Sequence, residues 1–367
     1  MHYTKELTRC ALGMLVGILL MPATQGCAVF GPSSLSRGRG AYAEVIAETN
    51  AEQSLATLVR VRYGAPWILV AVSSVTAQVR FNVNTRAEFG IGPDANFAGA
   101  LVPLSGGVAY DENPTISYLP VQGDKHLRQL LSPIPPDLLV PIINNSLDAE
   151  DSLALLVMSM NAIPNPAFMT TPEAARDDRF SQVAGLMGTL SRAGALRFVE
   201  SGTKEEAGFS LWLHDYAPAY RQQVNDLLAL LNVDAATSDE DIFLEVVSKP
   251  HARGAKTLSI QTRSVYDLGQ IGAAAVDVPE ADRLARLTTA YPKPGLAGEK
   301  ITIRRAQWRP GDAIAAAKFR GWWYYIDGGD VNTKRFFQIF EALLSARLAD
   351  TAEGARVAPV LTVPVSR

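Results

Sequence analysis

The stretch VTAQVRFNVNTRAEFGI, residues 75–91, decides how this chain is read as a fold. Its odd positions, Val75, Ala77, Val79, Phe81, Val83, Thr85, Ala87, Phe89 and Ile91, are apolar except for Thr85. None of its even positions carries an apolar side chain. Only a period of two separates residues this way, so the segment is a β-strand with unlike faces. One straight strand of this length would run ~56 Å at ~3.3 Å per residue, far beyond the usual 5–6 residues. A hairpin with a two-residue turn would switch the parity midway, and the parity does not switch. The segment is therefore one bent strand or a hairpin whose loop has an odd number of residues.

Working outward, a second β segment covers 108–119, with Asp111-Glu112-Asn113-Pro114 as a candidate turn inside it. A helix is expected at 41–63, ended by Gly64 and Pro66, and a short strand at 67–72. Helices follow at 124–132 and 152–162, with prolines at 133, 135 and 136 between them. After a polar stretch at 171–178 come helix 179–193, strands 196–201 and 209–214, and helix 217–232. A second strand pair is expected at 242–248 and 257–262, then helix 264–275. Strands near Ile301 and over 313–326 lead to helix 333–348, and an edge strand is expected at 358–363. Helices and hairpins alternate without a βαβ rhythm, which predicts an α+β fold of antiparallel sheets with packed helices. The expected division is an N-terminal region at 41–170, a C-terminal region at 179–350 and a tail at 351–367.

The first 27 residues carry a different signal. Lys5 and Arg9 precede an apolar run from Cys10 to Met21, broken by Pro22 and followed by Ala23-Thr24-Gln25-Gly26-Cys27. The run is shorter than the ~20 residues of a spanning helix and has the layout of an export signal peptide at 1–26. Cys10 would be removed with it, leaving Cys27 alone, and one thiol closes no internal disulfide. Gly26-Cys27 resembles a lipoprotein processing box. The resemblance implies an acylated Cys27, and the non-acidic Ala28 then implies the outer membrane, facing the periplasm. Ordinary cleavage after Ala28 is the competing reading. Residues 27–40, rich in Gly, Ser and Pro, read as a flexible tether.

The chain of 367 residues has 34 Lys+Arg against 37 Asp+Glu, a net charge of −3. No long basic run occurs, which argues against a nucleic-acid partner. His126, His214 and His251 are far apart and lack metal-ligand spacing, so no metal or cofactor is expected. Neither G-x-S-x-G, H-E-x-x-H nor a phosphate-cradling glycine loop is present. Ser201-Gly-Thr-Lys204 spells S-x-x-K at an expected hairpin turn, where the lysine does not stack over the serine. Asp327-Gly-Gly-Asp330-Val-Asn332 has Gly and Val where a calcium loop needs ligands, and reads as a turn and helix cap. Asp148, Glu150 and Asp151 read as the acidic start of a helix. Phe319-Arg-Gly-Trp-Trp-Tyr-Tyr325 is the densest aromatic cluster and reads as a strand between layers, with a ligand surface as the alternative. Arg60, Arg62, Tyr63, Arg320, Trp322, Trp323, Tyr325 and Asp327 are the candidate ligand-surface residues, and no catalytic residue is assigned.

Several stretches together resemble an uncharacterised family of bacterial envelope lipoproteins. They are Cys27-Ala-Val-Phe-Gly-Pro-Ser-Ser-Leu, Leu58-Val-Arg-Val-Arg-Tyr-Gly, Val72-Ser-Ser-Val75, Asn113-Pro-Thr-Ile-Ser-Tyr-Leu-Pro with Gly123, Thr262-Arg-Ser-Val265 and Phe319-Arg-Gly-Trp-Trp-Tyr-Tyr-Ile-Asp327. The resemblance implies a location and a rough fold and carries no activity. The expectation is a non-catalytic binding or structural component of the cell envelope, held by lipid on Cys27 and meeting an envelope protein or polymer. Two alternatives stand beside it: a pore or secretion-assembly subunit donating amphipathic β segments, and an envelope hydrolase with a site assembled from distant residues.

Overall fold

The computed structural model describes residues 27–67, 70–87, 104–120, 124–146, 148–174, 176–202, 207–234, 241–248, 256–354 and 361–364. Residues 1–26, where an export signal is expected, and residues 88–103 and 203–206, Lys204 among them, lie outside these residues. In chain order the elements begin with α1 (Cys27–Arg62), β1 (Val70–Ala87), β2 (Leu104–Pro120), α2 (Asp124–Leu131), α3 (Pro136–Asn145) and α4 (Ala149–Leu156). Next are β3 (Val157–Met160), β4 (Ile163–Pro164), β5 (Phe168–Met169), α5 (Arg179–Arg192), β6 (Leu196–Gly202), β7 (Ala207–Leu213) and α6 (Arg221–Leu230). Then come β8 (Ile242–Val247), β9 (Thr257–Thr262), α7 (Val265–Ala274), α8 (Glu280–Leu284), β10 (Lys293–Pro294) and β11 (Arg304–Ala306). The last are β12 (Ala313–Phe319), β13 (Trp322–Asp327), α9 (Val331–Gly354) and β14 (Leu361–Pro364). The fold is α+β, with helices packed on antiparallel and mixed sheets.

Segment 70–87 is one strand of 18 residues with a single irregularity between Val72 and Ser74. It pairs antiparallel with all 17 residues of β2. The expected turn at 111–114 is absent: Asp111 stands opposite Arg80, Asn113 opposite Gln78, and the ladder runs straight through. Pairing partners share a face of a ribbon. Val75, Phe81 and Val83 therefore lie on one face with Ile116, Tyr110 and Val108, while Thr76 and Gln78 share the other with Thr115 and Asn113. β14 adds a short third strand along residues 115–118 of β2.

The body is built on a six-stranded sheet in the order β4-β3-β9-β8-β7-β6. Alternation buries Leu196, Phe198, Leu211, Leu213, Ile242, Leu244, Leu258 and Ile260 beneath helices. In α5, Phe180, Val183, Ala184, Met187 and Leu190 are buried at helical spacing. α9 does the same with Phe336, Phe340, Leu343 and Leu344. A second sheet, β11-β13-β12, packs on α1 and carries fully buried Tyr324 and Ile326.

Four expectations change. The helix expected at 152–162 stops at Leu156, and residues 157–160 leave it as a strand paired with β9. A short apolar run fits either period, and the open edge of β9 decides it. Asn161 (φ 42°) and Ala162 (φ 66°) then make the turn into β4. The strand pair 242–247 and 257–262 is parallel rather than a hairpin. An additional helix, α3, occupies the proline-rich stretch, because Pro136 sits in the first turn, where a missing N–H is harmless. Residues 27–40, expected as a tether, are helical and continuous with 41–62. That helix is held at its far end, where Leu55, Leu58 and Val59 are fully buried, whereas Val45 is 56 % exposed. Leu55, Leu153, Leu258, Tyr324 and Phe340 belong to one buried cluster.

Candidate functional site

The end of α1 meets the β12–β13 hairpin at a cluster of polar and aromatic groups. Arg320 (φ 47°) and Gly321 (φ 88°) both take the left-handed conformation that a two-residue hairpin turn requires. The turn sets the Arg320 guanidinium 5.6 Å from the centre of the Tyr63 ring and 3.8 Å from the Asp282 carboxylate. Phe319 packs on Tyr63 at 5.1 Å between ring centres. The Tyr63 hydroxyl donates to Asp282 Oδ2 at 2.7 Å and lies 2.8 Å from the Tyr324 hydroxyl. Tyr63 has one proton to give and Asp282 receives it, so Tyr324 is the donor in the second bond. Burial, reinforced by the bond donated to the Asp282 carboxylate, pushes the Tyr63 hydroxyl well above its ordinary pKa. A phenol held this way is a hydrogen-bond donor and not a base or nucleophile near neutral pH.

The structure thus brings Tyr63 and Arg320 together and disperses the other candidates. Trp322 stacks under Arg305 at 4.9 Å and Trp323 under Arg309 at 5.5 Å. Arg309 also bridges to Glu48 and Glu52 of α1. Tyr325 stands between Arg304 and Ala316 in the sheet. Asp327 accepts from Gly329 N at 2.8 Å, a turn bond, and lies 3.7 Å from Arg304. Arg62 covers the Tyr291 ring at 5.2 Å, and burial lowers its pKa. Arg60 Nε and Arg62 Nε are buried with no hydrogen-bond partner among the described residues.

Three features escape sequence reasoning. Arg263 is 1 % exposed; its Nη2 donates to the Asn165 carbonyl at 2.6 Å, and burial pushes its pKa down to about 10. Asp282 and Tyr324 are 219 and 261 residues from Tyr63, a separation no local motif encodes. Trp212, His214 and Phe243 form an aromatic stack, Trp212 lying 3.7 Å from His214 and 5.8 Å from Phe243. Phe243 is 48 % exposed there. Cross-strand pairing of Trp212 with Phe243 is the only clue, and it requires the register.

A cleft beside α4 and α9 is lined by Asp151, Lys300, Asn332 and Arg335. Asp151 is held by Lys300 at 3.1 Å and Arg335 at 2.6 Å, so its charge is already answered. Asp148 caps α4 through Glu150 N and Asp151 N, and Asp330 caps α9 through Thr333 N at 3.0 Å. Asp330 acts as the cap reading expects, while Asp148 caps a helix that begins at Ala149, three residues before the expected 152. Among the described residues no helix is long and apolar enough to cross a membrane, and no cluster of His, Cys, Asp and Glu could hold a metal ion. No family model, no curated protein and no solved structure matches the chain.

Proposed function

We propose that this protein is a lipoprotein of the bacterial cell envelope, moored to the outer membrane by an acylated Cys27, whose body binds or braces another envelope component without catalysing a reaction. The lipid signal is carried by the sequence around Cys27. The non-catalytic part rests on one observation: the polar groups of the Tyr63 cluster are engaged with one another. Asp282 is occupied by Tyr63, with Arg320 beside it, and the Tyr63 proton is held more tightly than in water. Asp151, in the cleft, is likewise flanked by two cations. Neither place pairs an activated nucleophile with a base.

Growth with a radioactive fatty acid tests the mooring. The wild-type chain takes up label and sediments with membranes, and Cys27→Ala does neither. A wild-type chain that stays unlabelled and soluble refutes the reading.

A further inference from the structure

The β1–β2 ribbon is a long pair of strands joined by only four residues of a third, β14. Its strands have 18 and 17 residues, whereas two strands alone are marginally stable in water. Among the described residues no strand pairs with the outer edge of β1, and β14 covers that of β2 only at 115–118. Natural edges are blunted by proline, lysine or short length. β1 has neither residue and is long. The free edge of β1 therefore presents a row of backbone donors and acceptors, and that of β2 does so over 104–113, short of Pro114 and the residues β14 covers.

We propose that copies of this chain join edge to edge through these strands, β1 of one copy against β2 of the next, into a closed β-ring set in the membrane. The inference rests on the mooring proposed above. Antiparallel pairing of β2 with a neighbour's β1 repeats the order within the ribbon and keeps every ribbon base at the same end. Antiparallel pairing of β1 with a second β1 would set two bodies at opposite ends, which anchors in one leaflet do not allow. A head-to-tail contact of this kind closes into a ring when its rotation closes. About eight strands is the smallest barrel, so about four copies or more are needed.

The faces fit this arrangement. The rows Phe81/Tyr110, Val83/Val108 and Ala87/Leu104 share one side of the ribbon, and Arg80/Asp111 and Gln78/Asn113 share the other. Laddering copies would make the first a continuous apolar belt and the second a polar lining, the alternation of a membrane barrel. The alternation from Val75 to Ala87 exceeds the ~9–11 residues a tilted membrane strand needs. On the apolar side Glu112, opposite Val79 at mid-ribbon, is the one carboxylate among the described residues, and it interrupts the belt there.

The test extracts the full, acylated chain in mild detergent and weighs it by light scattering. Intact mass of the same sample reads acylation separately. The expected result is a particle of about four or more copies that falls to a monomer when residues 76–115 are replaced by Asn-Gly, with the circular dichroism of the body retained. Mixing an Asn84→Cys chain with an Ala109→Cys chain and oxidising should link unlike copies, while neither variant links to itself. An acylated monomer overturns the ring and leaves the mooring intact. So does a dimer, self-linking of the Asn84→Cys chain, or an assembly that survives loss of the ribbon. An unacylated chain overturns the mooring, and with it the same-side argument that selects the ring.

Discussion

Replacing Tyr63 by phenylalanine removes one oxygen and breaks two hydrogen bonds. The first runs to an ionised partner, Asp282, at 2.7 Å, and such bonds contribute about 1.5–3 kcal/mol. The second leaves the hydroxyl of Tyr324, on a fully buried side chain, without its acceptor at 2.8 Å, and an unpaired buried hydroxyl costs about 1–3 kcal/mol. The losses overlap, because the substituted ring no longer has a hydroxyl to desolvate. A net loss of about 2–3 kcal/mol is expected, which lowers the melting temperature by about 5 °C for a chain of this size. Urea unfolding of the full chain in detergent, followed by circular dichroism, measures it. Tyr324→Phe on the same background completes a double-mutant cycle, in which the two changes should fall short of additive by about 1 kcal/mol. A Tyr63→Phe chain within about 0.5 kcal/mol of wild type, or strict additivity, refutes the claim that these hydroxyls act as one unit.

Alkaline pH gives a second handle. Burial raises the pKa of Tyr63, Tyr291 and Tyr324 above their value of 10.0 in the unfolded chain, so the fold keeps protons that the unfolded state gives up. Their contribution to stability is whole below pH 10 and falls as pH rises beyond it. Arg263 has the opposite sign: its folded pKa of about 10 lies below the ordinary 12.5, so it penalises the fold at neutral pH and relieves it as pH rises from 10 towards 12.5. With three groups against one, the urea midpoint should drop between pH 9 and 11, less steeply in Tyr63→Phe and more steeply in Arg263→Met. Gly295→Ala should cost about 2–3 kcal/mol, since its new methyl group would overlap the Pro166 carbonyl oxygen, part of a backbone that cannot swing aside, whereas Gly311→Ala meets nothing and should be neutral in the same melt. Asp330→Ala should cost about 1 kcal/mol through loss of the α9 cap, and calcium should leave the wild-type melting temperature unchanged because that carboxylate is committed to Thr333.

Period-two alternation over 75–91 predicted a two-faced strand, and an unflipped parity limited it to one strand or an odd-looped hairpin. Local chemistry likewise marked the cap at Asp330, because a cap needs only residues within one turn of each other. The aromatic stretch 319–327 fits a strand between layers on the Tyr324 side alone. On the other side Trp323 is held by Arg309, which also bridges to α1. The helix expected at 152–162 fails past Leu156 because its apolar residues satisfy either period, and the choice is made by a strand about one hundred positions away.

The residue pattern by itself determined the class of fold, the cap of α9, and which positions of the long strand belong together, since each depends on spacing along one local backbone. The tertiary structure alone decided that Tyr63 meets Asp282 and Tyr324, that Arg263 is buried, that β8 and β9 run parallel, and that β1 pairs with β2 along its whole length. Those outcomes depend on which surfaces exclude water together once the chain has closed its long loops. That competition is settled among residues hundreds of positions apart, and no nearby spacing records it.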